Sequence, residues 1–511
     1  MGLFGKSGGG STVGINIGSS LIKVVEAKPT KDGIQISAIG VAPTPPGAIE
    51  NEVVAEPQAL GQAIRQLLAE SGISCKRCVS SVAGQSSVVV RIIEVPKMTK
   101  QELAETMKWE VERHVPFAAS DVVMDFQPIE RPTSAADDQN MEVLLAVAQQ
   151  EVVNSHVEAL FAAGLEPAVI DVECLAACRS LIDLSSNGAR EQTIAIVNVG
   201  AASTELGVYQ NGLLAFPRTL PIAGDAITRA LSDGLNIPVP QAERLKRERA
   251  IVLLDRAAQF SPAVSVSDAE PMGGYEEPEA AVDVSASAAE EGSEMELGFI
   301  PGLGYGATQE GEEQEKQEEE AETVTGVPDF DIEIGGRASE PAKPAMDYDL
   351  STGEEESEPD AADQETQSEP VDGDVEGENL AVPAILDQSA SDESLEEISE
   401  EADLTQFSEE LISDALMPVL SDLIAEVRRS LEYYASRFQG QPDRILLCGG
   451  TARLKGLDRL LEAELGIPVV LANPLQNVTV FSEALSQDYL SEVATVFPVS
   501  VGLAVRDMMG E

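Results

Sequence analysis

Two segments of the chain place polar residues where phosphate chemistry could take place. VGINIGSSLIKVVEA spans residues 13–27, and IAIVNVGAASTELGVY spans residues 194–209. Each reads as an apolar strand, a tight turn and a second apolar strand, with an asparagine ending the first strand and a glycine two places later. Glycine turns expose backbone N–H groups in a concave arrangement that binds phosphate oxygens. The repeated positions are Asn16 and Gly18 in the first hairpin and Asn198 and Gly200 in the second.

Side chains beside the two turns supply further groups for a phosphate. Lys23 stands three residues after Ser20 and could reach a terminal phosphate as a point charge. Serine and threonine hydroxyls add donors at both turns. One Gly-Ser turn is weak evidence because such turns are common, whereas a turn from each half of the chain predicts a clamp around a triphosphate. The residues concerned are Ser19, Ser20 and Lys23 in the first hairpin and Ala201, Ser203 and Thr204 in the second.

A helix start and a charged pair follow the second hairpin. Gly224 and Asp225 begin a predicted helix, whose N-terminus offers further N–H groups. Glu243 and Lys246 stand three residues apart on one face of the next helix. They either form a surface ion pair or hold ribose hydroxyls, and the sequence leaves both alternatives open.

A glycine pair near the C-terminal end completes the set. The apolar strand residues Leu447 and Cys448 run into Gly449, Gly450 and Thr451, after which a helix is predicted. Such a turn lets the backbone approach a flat base and a ribose closely. An ordinary strand-to-helix turn explains the same residues, and for this segment alone it is the better interpretation.

The elements that must position these residues alternate between strand and helix. Apolar runs predict strands at 12–17, 20–27 and 34–41, and a helix at 57–71 that ends at Gly72. This alternation is typical of α/β or α+β architecture rather than of a pure sandwich. The same criteria predict strands near 79–95, 121–129 and 141–149, a helix capped by Thr99 and Glu102, a helix at 151–163 and a long helix after residue 405.

The formal charge of −56 over 511 residues is concentrated in one segment. Residues 261–400 contain 42 Asp and Glu residues against three Lys and Arg residues, a net charge of −39. Such a segment cannot bury enough apolar surface to offset its ordering entropy, so we predict disorder over 255–403. Because an acidic chain repels phosphate backbones, nucleic-acid binding is disfavoured. The short apolar stretches 298–306 and 378–388 either dock on a partner or serve as spacer.

The five cysteines include two closely spaced pairs, Cys75 with Cys78 and Cys174 with Cys178. A zinc site would require the two pairs to meet in space, and reduced, partly buried thiols are the favoured interpretation. The sequence has no apolar run long enough to span a bilayer and no signal-peptide pattern at its start. We therefore expect a cytoplasmic protein.

Longer phrases of the sequence resemble one family of the actin-like ATPase superfamily. The order of two glycine hairpins, a Gly-Asp helix, A-E-x-L-K and strand-Gly-Gly is similar to the order in that superfamily. KMTKQELAETMKWEVERHVPF at 97–117 and LLCGGTARLKGL at 446–457 resemble the type IV pilus assembly protein PilM. The resemblance covers nearly all of 10–250 and 405–508.

This resemblance implies an α/β, two-lobed, actin-like fold of the FtsA and PilM type, with an inserted subdomain 1C. The acidic segment departs from the family pattern and is predicted to be a solvent-exposed loop of lobe two. The implied division is a flexible N-terminus at 1–11, subdomain 1A at 12–84 and 166–192, subdomain 1C at 85–165, lobe two (2A and 2B) at 193–254 and 404–475, the acidic disordered insertion at 255–403 and a return to lobe one at 476–511.

The resemblance also implies a function. PilM-like proteins are cytoplasmic, bind ATP between the lobes and grip the cytoplasmic tail of the inner-membrane protein PilN, which links them to PilO and the assembly motors. We therefore expect ATP as ligand, Mg²⁺ held through water by Asn16 and Asn198, and a PilN-like N-terminal peptide as partner. Subdomain 1C, near Trp109, His114 and Phe117, is the expected region of the peptide groove, although each of these side chains is more often part of a core or of an interface.

Active members of the superfamily commonly carry Asp where this chain has Asn16, and often where it has Asn198. An amide brings no charge and cannot take a proton at neutral pH. We therefore expect nucleotide binding with at most weak ATPase activity, and we predict no catalytic residue. Two alternatives remain: an FtsA-like cell-division or filament-forming protein, and a small-molecule kinase, for which no motif supplies the general base. Self-association of the chain is also left open.

Overall fold

The computed structural model describes residues 10–131, 139–185, 187–255, 404–481 and 486–509. The predicted flexible N-terminus and acidic insertion therefore lie outside the described residues, apart from their edges. The strands are β1 (Thr12–Ile17), β2 (Leu21–Thr30), β3 (Gly33–Pro43), β4 (Ile49–Glu50), β5 (Val53–Val54), β6 (Arg77–Val82), β7 (Val88–Pro96), β8 (Val122–Ile129), β9 (Asn140–Gln149), β10 (Glu166–Val172), β11 (Thr193–Val199), β12 (Thr204–Gln210), β13 (Leu213–Leu220), β14 (Arg444–Cys448), β15 (Val469–Leu471) and β16 (Thr479–Val480).

The helices lie between these strands much as their apolar periodicity predicts. The predicted helices at 57–71 and 151–163 are confirmed to within a residue at each end. The helices are α1 (Pro57–Glu70), α2 (Lys100–His114), α3 (Gln150–Ala162), α4 (Glu173–Cys178), α5 (Gly224–Leu235), α6 (Val239–Glu248), α7 (Glu409–Phe438), α8 (Leu457–Leu465), α9 (Gln487–Val493) and α10 (Pro498–Ala504).

The first sheet forms around the first hairpin, in the order β10-β6-β1-β2-β3-β16. β1 pairs in parallel with β6 and antiparallel with β2, and every residue of β1 is buried. The C-terminal helix α10 packs directly on β1. A Cβ atom at Gly14 would lie 2.1 Å from the carbonyl oxygen of Ser500, so only glycine permits this approach.

The second sheet belongs to lobe two and has the order β13-β12-β11-β14-β15. One face packs against α5, α6 and α7 around buried residues such as Ile227, Leu245 and Leu420. Residues of the other face, including Ile194 and Tyr209, belong to the same apolar core as β1. The two lobes therefore share a continuous apolar contact behind the cleft that separates their polar edges.

The third sheet, β7-β9-β8, carries α2 on one face. Thr99 and Glu102 form the predicted capping box, and Leu103, Met107 and Val111 are buried in the small core of this unit. Helix α3 packs instead against α1, β6 and β10 of lobe one. The boundary of subdomain 1C at 85–165 stays a prediction, with α3 on the side of lobe one.

Arg249 joins the two ends of the chain that flank the acidic segment. Its guanidinium donates to the carbonyl oxygens of Leu404 and Phe407, the latter at 3.1 Å. The N–H of Leu253 donates to Ser413 Oγ at 3.1 Å. Lobe two is thus continuous across the insertion point, because the chain leaves and returns at the same place.

A buried histidine ties α3 to the first sheet. His156 Nε2 lies 2.8 Å from Ser80 Oγ, and the Ser80 hydroxyl donates to the carbonyl oxygen of Ile15 at 2.7 Å. Burial lowers the pKa of His156 to about 4. The folded protein therefore holds a neutral imidazole at a pH where the unfolded chain is protonated, because the unperturbed pKa is about 6.5.

We expect His156 to make the folded state sensitive to acid. Because the folded-state pKa is below the unfolded value, the unfolded chain binds more protons, and stability is lost as the pH falls from about 6.5 towards about 4. His156→Gln removes this titration while keeping a polar partner for Ser80. Melting temperatures recorded between pH 7.5 and pH 4.5 should converge or cross for the two proteins, and parallel curves would contradict the assignment.

Candidate functional site

The polar cleft lies at the carboxyl ends of parallel strands from both lobes. Strands β1, β6 and β10 are parallel in the first sheet, and β11 and β14 are parallel in the second. Asn16 and Asn198 sit near the ends of β1 and β11, Glu173 directly follows β10, and Gly449 directly follows β14. Ligands of open α/β sheets bind outside the carboxyl ends of the strands, so these residues mark the candidate site.

Asn16 lies between a cation and an anion. Its Nδ2 donates to Glu173 Oε1 at 2.5 Å, and its Oδ1 accepts from Lys23 Nζ at 2.6 Å. A side chain that accepts from an ammonium group and donates to a carboxylate at the same time must offer both functions, and an amide does so. An ionised aspartate would offer acceptors alone and would repel Glu173.

Asn198 has a corresponding partner in the second hairpin. In the ladder, Asn16 stands opposite Lys23, and Asn198 stands opposite Glu205. Asn198 lies beside the Glu205 carboxyl group and lowers its pKa, and Glu205 Oε2 is buried with no hydrogen-bond partner among the described residues. The two hairpins are therefore equivalent in backbone and differ in the residue opposite the amide: Asn16 stands opposite a lysine, and Asn198 stands opposite a glutamate.

Burial shifts the pKa values of the ionisable groups in the cleft. Burial and the neighbouring Glu173 carboxylate raise the pKa of Glu205 well above its usual value. Burial also raises the pKa of Glu173, against the opposing effects of Lys23 and Asn16, and lowers the pKa of Lys23, against the effect of Glu173. The shared influence of Glu173 and Glu205 brings groups of both lobes into one electrostatic cluster.

The turns themselves use their glycine N–H groups internally. The N–H of Gly18 donates to Leu21 O, and that of Gly200 donates to Ser203 O, each at 3.0 Å. These groups therefore hold the turns closed instead of facing outwards. Among the described residues, the backbone N–H groups of the turns that make no backbone hydrogen bond are those of Ser19, Ser20, Ala201, Ala202 and Ser203.

The third predicted element is joined to the second turn. Thr451 Oγ1 donates to Gly200 O at 2.8 Å, and the N–H of Gly224 donates to the same oxygen at 3.1 Å. Gly449 has a φ of +93°, and a Cβ atom there would lie 2.3 Å from Val199 O, so glycine is required. At Gly450, a Cβ atom would have no neighbour within 4 Å. Gly449 is therefore required by the packing of the turn, whereas Gly450 faces open space.

The charged pair predicted on α6 fixes the start of α5. Lys246 Nζ lies 2.6 Å from Glu243 Oε2 and donates to Gly224 O at 3.1 Å. Both side chains also contact the Thr228 hydroxyl. The ion pair foreseen as one alternative is present, and a ribose contact stays a prediction. Asp225 N–H is engaged with Ala201 O, so this helix start is bound to the second turn.

One predicted phosphate donor points elsewhere. The Thr204 hydroxyl donates to Ile222 O at 2.7 Å, and Thr204 is fully buried. The hydroxyl thus joins β12 to the segment before α5, and its predicted phosphate contact would require this bond to break. Trp109 also differs from the expected core or interface position, because its side chain is 73% exposed on α2.

A cavity of about 520 Å³ opens where subdomain 1C, lobe one and lobe two meet. This volume lies within the range of small-ligand pockets. The end of the edge strand β8 forms one wall, α4 and the residues after it form another, and β12 and β13 form the third. Its walls include Gln127, Leu144, Leu175, Arg179, Tyr209 and Leu213.

Arg131 fastens this junction. It forms an ion pair with Glu142 of β9 and donates to the carbonyl oxygen of Leu214 on β13 at 2.9 Å. On the lobe-one side, Arg179 is held by Asp171 at 3.0 Å and donates to Gly502 O at 3.0 Å. The cavity walls are therefore anchored to all three neighbouring sheets or helices.

The two cysteine pairs lie in different parts of the fold: Cys78 belongs to β6, with Cys75 just before that strand, and Cys174 and Cys178 belong to α4. All five thiols are free. Within the described ranges, no group of three or more His, Cys, Asp or Glu residues is placed to hold a metal ion. In the same part of the chain, no helix combines the length and apolarity needed to cross a bilayer.

Sequence reasoning missed the two glutamates of the cleft and the tyrosine of the cavity. Glu173 follows a buried parallel strand, which is a signal for a site residue. Glu205 stands directly opposite Asn198, but the register that pairs them becomes certain only in the folded sheet. Tyr209 reads as an ordinary strand residue, and nothing in the sequence places it at a junction.

The cleft fits a magnesium-bound nucleotide on its donor chemistry. Glu205 Oε2, which has no partner in the described part of the chain, is a buried acceptor that a metal-bound water would satisfy. Lys23 and the open N–H groups of Ser19, Ser20 and Ala201 would hold phosphate oxygens. The open surface of Gly450 leaves room for a base or ribose. A bound Mg²⁺ would neutralise phosphate charge and polarise the terminal phosphate.

Comparison with known proteins identifies similar families. The family model described as type IV pilus assembly protein PilM matches residues 14–252 and 387–508. The chain is 23% identical over 269 residues to the cell division protein FtsA of Bacillus subtilis, covering 48% of this chain and 60% of that protein. It is 24% identical over 280 residues to FtsA of Pseudomonas aeruginosa, covering 51% of this chain and 66% of that protein. The alignments thus span less than two-thirds of these curated relatives.

The fold has a counterpart among solved structures. A structure titled "PilM-PilN type IV pilus biogenesis complex" matches with a TM-score of 0.61 and 23% sequence identity, covering 98% of this chain and 100% of that chain. This likeness and the two-lobed α/β architecture confirm the predicted actin-like fold class for the described residues. At this level of identity the structural likeness shows the fold, and the functional groups must be argued from the residues themselves.

Proposed function

The chain belongs to the type IV pilus assembly protein PilM family, and from this premise we propose that it is an ATP-binding scaffold of pilus assembly. In this proposal the cleft between the lobes binds ATP, and the cavity beside subdomain 1C binds the cytoplasmic tail of a PilN-type inner-membrane protein. The scaffold is cytoplasmic and reaches the membrane through that partner. Contacts with a PilO-type protein and with the motor ATPases are indirect parts of the same proposal.

One observation carries the nucleotide proposal: the two equivalent hairpins bring an amino group and a carboxyl group to one cleft. Lys23 opposite Asn16 supplies a cation for phosphate, and Glu205 opposite Asn198 supplies an acceptor for a metal-bound water. A triphosphate with its magnesium ion carries both kinds of group. A single phosphate would need the cation alone, and a bare divalent cation would need the carboxylates alone.

Turnover is proposed to be weak. Asn16 and Asn198 cannot accept a proton, and Asn16 is already engaged with Lys23 and Glu173. The two glutamates supply the negative charge that the amides lack, so the amides by themselves do not exclude hydrolysis. The scaffold role requires only that nucleotide binding favour one arrangement of the lobes.

The cavity supports the partner proposal through its position and its lining. Strand β8 is an edge of its sheet among the described residues, so an extended peptide can lie alongside it. Leucine side chains from all three walls offer apolar contacts. Arg179 and Arg190 also line the cavity, and they are ion-paired with Asp171 and Asp183 respectively. The solved relative whose title names a PilM–PilN complex favours a PilN-type tail as the occupant.

Lys23→Ala should weaken ATP binding at least about tenfold, a loss of about 1.4 kcal/mol. The substitution removes the ammonium group that faces the phosphates and leaves Glu173 uncompensated. Lys31→Ala, at an exposed turn beyond the same strand, is the matched control. Isothermal titration calorimetry with ATP and Mg²⁺ measures both. Equal affinities for wild type and Lys23→Ala, or no heat with wild type, would reject the nucleotide proposal.

Gln127→Trp should weaken binding of a PilN-type N-terminal peptide at least about tenfold, because the larger side chain fills the cavity beside the β8 edge. Fluorescence anisotropy of the labelled peptide gives the affinity. Val470→Trp, at an exposed site on the opposite edge of the lobe-two sheet from β13, is the control and should bind normally. Normal binding by Gln127→Trp would place the peptide elsewhere.

A further inference from the structure

Tyr209 is a buried side chain that crosses from one lobe to the other. It belongs to β12 of lobe two and is 1% exposed, and its hydroxyl donates to the carbonyl oxygen of Cys174 at 2.7 Å. Cys174 lies in α4 of lobe one. A buried tyrosine hydroxyl requires a partner, so this bond fixes the distance between β12 and α4 as long as the lobes keep this arrangement.

Gly207 makes this reach possible. It precedes Tyr209 by two residues and lies on the same face of β12. A Cβ atom at Gly207 would lie 2.6 Å from Tyr209 Oη and 2.8 Å from the ring carbons. The tyrosine ring therefore lies along the strand over the bare glycine backbone, which directs the hydroxyl to Cys174.

The two elements that Tyr209 joins each extend to both candidate sites. On α4, Glu173 faces the nucleotide cleft, and Leu175 lines the cavity. On β12, Glu205 belongs to the cleft cluster, and Tyr209 itself lines the cavity. Residues 205, 207 and 209 share one face of the strand because side chains alternate. The hydrogen bond thus stands between two sites that use neighbouring residues of the same elements.

Helix α4 is bonded to both lobes through adjacent residues. It has six residues, and its first turn carries both Glu173 and the Cys174 carbonyl. Glu173 bonds to Asn16 within lobe one, whereas Cys174 bonds to Tyr209 of lobe two. A shift of β12 against α4 therefore changes the Tyr209 bond and the separation of Glu173 and Glu205 together.

We propose that the Tyr209–Cys174 hydrogen bond couples nucleotide binding in the cleft to peptide binding in the cavity. The inference rests on the proposed function, because it assigns a regulation to those two sites. A nucleotide that draws Glu205 and Lys23 onto one ligand moves β12 relative to α4, and the cavity wall formed by Tyr209, Leu175 and Arg179 moves with it. Because coupling between binding sites is reciprocal, the peptide must change ATP affinity by the same factor.

The test is a thermodynamic cycle on the full-length chain. Peptide affinity is measured by anisotropy without and with saturating ATP and Mg²⁺, and ATP affinity by calorimetry without and with peptide. Wild type should show a coupling of at least about fivefold, equal in both directions. Tyr209→Phe removes only the hydroxyl and should bring the coupling close to one. The coupling is a ratio of two affinities of the same variant, so a change in the peptide affinity of Tyr209→Phe, whose ring lines the cavity, does not alter this expectation. Tyr433→Phe, which keeps its ring contact with Phe216 on the lobe-two surface, should retain the wild-type coupling.

Hydrogen exchange of the wild-type protein supplies a second readout that does not depend on a variant. ATP alone should alter the exchange of the α4 amides, and the peptide alone should do the same. Two results would overturn the inference: a coupling factor in Tyr209→Phe equal to that of wild type, or hydrogen exchange of the α4 amides that does not change when ATP binds. Wild type that binds both ligands independently would also overturn it while leaving the proposed function standing. Wild type that binds neither ligand would remove the proposed function as well.

Discussion

The bridging of Lys23 and Glu173 by the Asn16 amide is the interaction on which the cleft depends. Both charges are drawn away from water, so each needs a hydrogen-bonded partner of complementary character. The amide supplies an acceptor to one and a donor to the other. In the second hairpin, Asn198 is the corresponding amide, and it favours the charged form of Glu205. The amides are therefore structural connectors, and the charge that a nucleotide would meet is carried by their neighbours.

The apolar contact behind the cleft makes this arrangement sensitive to lobe movement. Residues such as Ile194 and Tyr209 of lobe two share a core with β1 of lobe one, and this non-directional contact keeps the lobes together. The polar edges of both sheets meet in front of that contact. Small rotations there change the distance between Glu173 and Glu205 and the shape of the cavity at the junction with subdomain 1C. A scaffold that reports its nucleotide state to a partner needs such a connection.

The sequence predicted those parts of the fold that depend on local patterns. Both hairpins, the capping box of Thr99 and Glu102 and the Gly449 turn were readable because period, caps and glycine positions act over a few residues. It did not predict Glu173 and Glu205 as site residues, because their significance comes from strand order and from contact across the cleft. The expectation that Thr204 faces a phosphate differed from the structure for the same reason: its acceptor, Ile222 O, is brought near by tertiary folding. The interpretation of Asn16 as a lost carboxylate likewise did not anticipate its partner Glu173, which is more than a hundred residues away in the chain.

Calorimetric titration of Asn16→Asp with ATP and Mg²⁺, paired with phosphate release, tests the bridging role of the amide most directly. If Asn16 connects Lys23 to Glu173, the aspartate places a second anion beside Glu173 and the phosphates. ATP affinity should then fall about tenfold or more, with no gain in hydrolysis. If Asn16 instead merely replaces a catalytic aspartate and has no bridging role, the variant will bind ATP as tightly as wild type and hydrolyse it faster. Tight binding with faster hydrolysis would therefore contradict the bridging role of Asn16.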